Sequence, residues 1–167
     1  SMQNIADAVG LQKGSLYHYI SSKEELLFKI FERSTGALTR QLEEIIASEI
    51  LPAAKLCRAI EAHLAALCEQ LDIYSVYLSE RRALSGRYHT KVRAEGEKHA
   101  RLLERILQQG IDRKDFHAMD TQMVALAILG MCNWLYQWYS PDGRLSPKGI
   151  AVIFSELVVD GLARTRK

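Results

Sequence analysis

The fold is decided near the N-terminus by the stretch IADAVGLQKGSLYHYI, residues 5–20. Apolar residues recur at helical spacing on both sides of Gly10, which predicts two short helices joined by a tight turn. A short turn that contains glycine reverses the chain without a long loop, as a helix-turn-helix requires. The small residue Ala6 is expected where the two helices cross. A miniature core is expected from Ile5, Val9, Leu11 and Leu16.

The second predicted helix carries polar side chains on its outward face. They supply amide, ammonium, hydroxyl, phenol and imidazole groups, which suit phosphate oxygens and base edges. Gly14 removes bulk beside them, so a DNA backbone can approach closely. The candidate DNA-binding residues on this helix are Gln12, Lys13, Ser15, Tyr17 and His18. A helical hairpin that merely caps a bundle would explain the same spacing.

The rest of the chain predicts further helices and no sheet. The period of 3.6 residues continues to the C-terminal end, and only 3 Pro and 10 Gly interrupt 167 residues. Ser22, with Glu25 three residues later, predicts a helix start. Two apolar helices are predicted at 123–139 and from Ser146 onward. We therefore expect an all-α protein.

Composition and motifs argue against several classes of protein. A net charge of +2 means that DNA binding needs a local patch rather than a basic chain. The 3 Cys lie in apolar segments, which favours reduced thiols in a cytoplasmic protein over disulfides. The sequence has no run of 18 apolar residues, so we expect no membrane-spanning helix. The His and Cys residues have no metal-ligand spacing, and neither a nucleophile elbow nor a phosphate loop is present, so we expect no metal, no cofactor and no enzyme.

Residues 5–27, IADAVGLQKGSLYHYISSKEELL, resemble the DNA-binding segment of the TetR family of bacterial transcriptional repressors. Ile20 and Ser21 depart from the aromatic residue and the proline that the family favours there. The resemblance implies a DNA-binding head at 1–28 and a helical ligand-binding and dimerisation domain at 29–167. It also implies that the head lacks its first helix in this sequence, and that such a chain binds DNA poorly.

The family resemblance assigns roles to individual residues of the head. Tyr17 is expected to contact phosphate, and Gln12 and Ser15 are expected to read bases. Lys23 is expected to meet a backbone phosphate at the N-terminus of the following long helix.

Large apolar and aromatic side chains in the second domain predict a hydrophobic pocket. The alternative is that they simply form core. Residues 133–147 resemble the C-terminal part of TetR members that sense fatty acyl or steroid-degradation thioesters of coenzyme A. A locally basic helical region, 80–114, supplies Arg81 and Arg82 as candidates for an anionic group of such an effector. The candidate ligand-binding residues are Tyr74, Tyr77, Leu78, Arg81, Met131, Trp134, Leu135 and Trp138.

The last two predicted helices carry more apolar surface than one small domain can bury, which predicts a homodimer. Two-fold symmetry also matches the paired half-sites of a palindromic operator. The alternative is a larger core within one chain. The candidate interface residues are Leu126, Leu129, Gly130, Asn133, Ile150, Phe154, Leu157, Val158 and Gly161.

Together these features predict a DNA-binding regulator, a repressor rather than an activator. We expect a small hydrophobic or acyl-CoA-like effector to release it from its operator. Two alternatives remain at this point: a helical dimeric scaffold that does not respond to ligands, and a small all-α enzyme with dispersed catalytic residues.

Overall fold

The computed structural model describes residues 1–163, so the last four residues of the second predicted domain, 164–167, lie outside the described residues. Within 1–163 the expectation of an all-α protein is confirmed, with eight helices and no strand. None of these helices is long and apolar enough to cross a membrane. The helices are α1 Met2–Ala8, α2 Lys13–Tyr19, α3 Lys23–Ala47, α4 Pro52–Glu69, α5 Leu71–Glu80, α6 Gly86–Asp112, α7 Thr121–Asn133 and α8 Pro147–Leu162.

Side-chain caps begin four of the helices, because a cap satisfies a backbone N–H group that has no partner within the helix. Ser22 Oγ accepts from the N–H of Glu25 at 3.0 Å at the start of α3. Asp120 caps α7 and Ser146 caps α8 in the same way, and Ser1 caps α1. The predicted start signals at Ser22 and Ser146 are confirmed.

The predicted apolar helix 123–139 is wrong at its C-terminal end. α7 stops at Asn133, and a 3-10 turn follows over Trp134–Gln137. At 3.6 residues per turn, one helix face would carry Met131, Trp134, Leu135 and Trp138, but the tighter 3-10 winding separates them. Leu135 therefore lies in the core, whereas Trp134 and Trp138 are exposed.

Three apolar clusters hold the chain together. The main core joins the C-terminal half of α3 to α4, α6, α7 and α8, and α8 packs along α4. A second cluster joins the N-terminal half of α3 to α5 and α6, where the Phe31 and Tyr77 rings stack with centroids 4.3 Å apart. A third, in the head, consists of Met2, Ala6 and Leu16, with Ile5 and Ile20 packed against it.

A buried lysine ties α3 to two other helices. Lys55 Nζ donates to the carbonyl of Ile46, in the last turn of α3, at 2.6 Å. It also donates to Gln109 Oε1 of α6 at 3.0 Å. Its ammonium group thereby satisfies a carbonyl group that α3 leaves without an intrahelical partner.

The turn after α6 requires a glycine at position 110. The carbonyl of Gly110 accepts from the N–H groups of Asp115 and Phe116, and this turn folds the Phe116 ring over the glycine. A Cβ atom at position 110 would overlap the carbon atoms of that ring. Phe116 is buried and cannot simply swing away.

We expect Gly110→Ala to lower the free energy of unfolding by about 2 kcal/mol, because overpacking forces a buried ring to move. Gly96→Ala on the same helix is the matched control, because nothing lies within 4 Å of the added methyl group. There the better helix propensity of alanine should stabilise the protein by up to about 1 kcal/mol. Urea denaturation measures both values, and equal stabilisation by the two substitutions would contradict this account.

Candidate functional site

The head places its polar side chains on the surface of α2. Lys13, Tyr17 and His18 are exposed, Ser15 is half-buried, and Leu16 is buried beneath them. Gln12 is the exposed N-cap residue, and its side chain makes no capping hydrogen bond. A Cβ atom at Gly14 would meet nothing within 4 Å, so that edge of the helix is open.

The predicted burial of two residues in the miniature core is wrong. Val9 and Leu11 are exposed, and Met2 takes their place beside Ala6 and Leu16. The reason is the turn itself: Gly10 has a φ of +68°, which reverses the chain and carries its two neighbours outward. Ala6 is fully buried, as expected for the crossing point.

The first turn of α3 joins the head to the rest of the protein. Lys23 Nζ lies 3.2 Å from Glu80 Oε2, at the end of α5. Glu24 Oε1 accepts from the N–H of Ser85 at 3.1 Å and from its Oγ at 2.9 Å, just before α6. Lys23 is therefore held in an exposed ion pair within the chain, at the position where the sequence predicted a phosphate contact.

Glu25 completes this turn in a way that differs from the usual capping box. Its carboxylate accepts from the backbone N–H and the hydroxyl of Ser21, not from the N–H of the cap residue Ser22. These bonds, with a salt bridge to Lys29, lower the pKa of Glu25 to about 2. The link between α2 and α3 is thereby fixed.

A cavity of about 90 Å³ lies beyond this turn, lined by α3, α4, α5, α6 and α7. Four of the predicted ligand-binding residues line it: Tyr74, Tyr77, Leu78 and Arg81. Phe31, Thr35 and Thr39 of α3 also line it. The other four predicted residues, Met131, Trp134, Leu135 and Trp138, do not line it.

Two buried histidines, which the sequence analysis did not single out, form the inner end of this cavity. His63 Nε2 donates to Asn133 Oδ1 at 3.0 Å, and the His63 and His99 rings meet edge to face at 5.4 Å. Burial lowers the pKa of His63 to about 4 and that of His99 to about 3, so both rings are neutral at pH 7. The available signal was their position on apolar helix faces, with Ile60 and Leu67 beside His63 and with Leu102 and Leu103 beside His99.

A surface depression of about 410 Å³ adjoins the cavity and shares Leu78, Arg81 and Asn133 with it. Arg82 and Trp134 lie on its wall. Trp134, expected in the apolar pocket, thus belongs to this outer depression, where its ring meets that of Tyr136 edge to face.

The residues predicted for the dimer interface fall into three groups. Leu126, Gly130, Leu157 and Gly161 are exposed, and Phe154 and Val158 are half-buried. The structure places three others elsewhere: Ile150 is buried in the main core, and Leu129 and Asn133 are half-buried and line the cavity. Met123 on α7 and Ile153 on α8, which were not among the predicted interface residues, are also exposed.

The described residues contain no candidate metal site, and their cysteines are not paired with one another. No group of three or more His, Cys, Asp or Glu residues within 1–163 is placed to hold a metal ion. Cys57, Cys68 and Cys132 are free thiols, and burial raises the pKa of Cys132 to about 12.

Two family models match the chain. Residues 1–30 match the model described as bacterial regulatory proteins of the tetR family, and residues 49–162 match the model described as the tetracyclin repressor-like C-terminal domain. Together these segments contain the helix-turn-helix, the cavity walls from α4 onward and the exposed faces of α7 and α8.

Known proteins resemble the chain over nearly its full length. The HTH-type transcriptional repressor KstR2 of Rhodococcus jostii (strain RHA1) is 28% identical over 98% of this chain and 81% of its own. The crystal structure of the TetR family regulator PfmR from Thermus thermophilus superposes with a TM-score of 0.90 at 31% identity, covering 98% and 90% of the two chains. The structure of AibR in complex with isovaleryl coenzyme A and operator DNA has a TM-score of 0.84 at 28% identity, covering 94% and 85%.

The buried histidines make stability dependent on pH. Because their folded pKa values lie below the unfolded value of about 6.5, the unfolded chain binds more protons as the pH falls, and stability is lost below pH 6.5. The raised pKa of His117 acts in the opposite direction, and the carboxylates of Glu25 and Glu97, whose pKa values are lowered, matter only at lower pH.

We expect the free energy of unfolding to fall by about 3 kcal/mol between pH 6.5 and pH 5. His99→Leu should remove about half of that fall, whereas His89→Leu, at an exposed position on the same helix, should leave it unchanged. Urea denaturation at the two pH values measures the difference. A fall of the same size in all three proteins would contradict the assignment to buried histidines.

Proposed function

The chain belongs to the TetR family of bacterial transcriptional regulators, and on that premise we propose that it is a repressor released from a palindromic operator by a small effector. The observation that carries the proposal is the course of α3. Its first turn directly follows α2, the helix that we propose as the recognition helix of the head. Its Phe31, Thr35 and Thr39 side chains line the cavity. A ligand in the cavity therefore touches the helix that positions the head.

We assign operator contact to the head, residues 1–28, and effector binding and dimerisation to residues 29–167. Gln12 and Ser15 read bases, and Lys13, Tyr17 and His18 contact the phosphate backbone or base edges. Lys23 reaches a phosphate when its ion pair with Glu80 opens. Since that pair is exposed, opening it costs little, about 1 kcal/mol or less.

The effector is a small hydrophobic or acyl-CoA-like molecule. The support is the largely apolar lining of the cavity, the two guanidinium groups at its outer side and the similarity to AibR, whose structure contains isovaleryl coenzyme A. An effector shifts the equilibrium only if it binds one arrangement of the helices better than the other. Arg81 lies in the cavity wall and the adjacent Glu80 holds Lys23, so a change at α5 reaches the head directly.

The function is tested with the full-length protein, by selecting bound sequences from a random pool of duplex DNA and then adding acyl-CoA thioesters of several chain lengths to the complex. The proposal predicts enrichment of an inverted repeat, and dissociation of the complex by a thioester but not by free coenzyme A. Failure to enrich any sequence would favour the scaffold alternative. Turnover of the thioester would favour the enzyme alternative.

Lys13→Ala is expected to weaken binding to all duplex DNA alike. Removing one phosphate contact should also reduce the slope of log affinity against log salt concentration by about 1. Fluorescence anisotropy with a labelled duplex of arbitrary sequence measures both quantities. Lys148→Ala, an exposed lysine on α8, serves as the control, and an unchanged slope in Lys13→Ala would refute the phosphate contact.

Leu157→Asp is expected to convert a homodimer into monomers. Leu157 is 66% exposed on α8, and a charge placed in a two-fold interface meets its own copy or an apolar partner. Sedimentation velocity at micromolar concentration gives the oligomeric state. Val76→Asp, an exposed apolar residue on α5, should leave the dimer intact. A monomeric wild-type protein would overturn the interface proposal.

A further inference from the structure

The inner end of the cavity contains two polar atoms without a partner. Among the described residues, Tyr74 Oη and His99 Nε2 are the buried side-chain atoms that lack a hydrogen bond. Their side chains are only 4% and 9% exposed, and both line the cavity from different helices. A buried polar group without a partner is destabilising, so native proteins satisfy nearly all of them. A ligand in the cavity is therefore a candidate partner for both atoms.

This inner end carries no charge at pH 7. Burial raises the pKa of Tyr74 to about 12, and both histidines are neutral for the reason given above. The charged side chains on the cavity wall are Arg81 and Glu95, which are exposed. A carboxylate or phosphate at the inner end would be desolvated without a cation beside it, which is strongly unfavourable.

The outer depression has the opposite character. Arg81 and Arg82 lie on its wall, and its lining within the described residues contains no acidic side chain. Trp134, 61% exposed, adds a flat aromatic surface beside them. Guanidinium groups pair well with phosphate or carboxylate oxygens, and aromatic faces accept flat rings.

We infer that the effector has three chemically different parts: a ketone or hydroxyl oxygen at the buried end, a short apolar body, and an anionic group that remains outside. A ketone oxygen accepts from both Tyr74 Oη and the N–H tautomer of His99 Nε2. A hydroxyl group accepts from one atom and donates to the other. The apolar body contacts Phe31 and Leu78, and the anionic group pairs with Arg81 and Arg82. This inference rests on the proposed function and specifies the effector's chemistry.

The test compares matched thioesters that differ in one oxygen. Quenching of tryptophan fluorescence measures the affinity for 4-oxopentanoyl-CoA against pentanoyl-CoA, and for 7-oxooctanoyl-CoA against octanoyl-CoA. We expect the oxo compound of at least one pair to bind about tenfold more tightly or better, because the unsubstituted chain leaves two buried polar atoms unpaired. Equal affinity within both pairs, or no binding by any of the four, would overturn the inference.

Two variants locate the preference at the inner end. Tyr74→Phe removes one oxygen with little change of volume and should cut the preference severalfold, and His99→Leu should do the same. Tyr88→Phe is the matched control, because the Tyr88 hydroxyl accepts from Arg87 and does not line the cavity. A preference unchanged in both Tyr74→Phe and His99→Leu would place the oxygen elsewhere and overturn the inference.

A further comparison tests the outer end. The N-acetylcysteamine thioester of the preferred acyl group lacks the phosphates of coenzyme A and should bind at least tenfold more weakly. The difference in affinity between the two thioesters should shrink in Arg82→Gln and should persist in Arg101→Gln on α6. An uncharged thioester that binds as well as the coenzyme A compound would overturn this part.

The same measurements separate failure of the inference from failure of the function. If both members of a pair release operator DNA equally well, the inference is wrong and the proposed function stands. If an oxo thioester binds tightly and the operator complex persists, the ligand chemistry is right and the proposed function is wrong.

Discussion

The structure depends on α3, a single helix that begins in the head and ends in the main core. Its 25 residues extend over about 37 Å at the rise of an α-helix. Leu27 and Phe28 pack near its start, Thr35 and Thr39 line the cavity in its middle, and Ile46 is held by Lys55 at its end. Because a packed helix moves as a rigid element, a shift of α3 at the cavity also moves its first turn, which directly follows α2. The bonds of Lys23 to Glu80 and of Glu24 to Ser85 join α3 to the end of α5 and to the segment that follows it.

The inner end of the cavity places polar groups inside a mostly apolar body. Neutral His63 and His99 cost stability at acidic pH, and the unpartnered Tyr74 hydroxyl costs stability at any pH. A core designed only for stability would place apolar side chains there. Local departures from the rules of good packing concentrate at functional sites, which is why we propose this cavity as the effector site.

The sequence predicted local structure well because local signals decide it. Gly10 and the cap residue Ser22 fix two boundaries, and the helices behind them follow from apolar spacing. It failed where tertiary packing decides. The tighter 3-10 winding after Asn133 separated Trp134 from Leu135, and no local signal announces such a change. In contrast, residue type was enough to place Tyr74 and Arg81 at a cavity. The pairing of His63 with Asn133, 70 residues apart, and that of Lys23 with Glu80 are long-range contacts that a single sequence does not specify.

If the cavity and the head are energetically coupled, operator DNA and effector must change each other's affinity by the same factor. The measurement is the affinity for an acyl-CoA thioester, by tryptophan fluorescence, with free protein and with protein saturated by its selected operator. The account predicts that operator DNA weakens thioester binding by the same factor by which the thioester weakens operator binding. Equal thioester affinity in the two states would contradict the account.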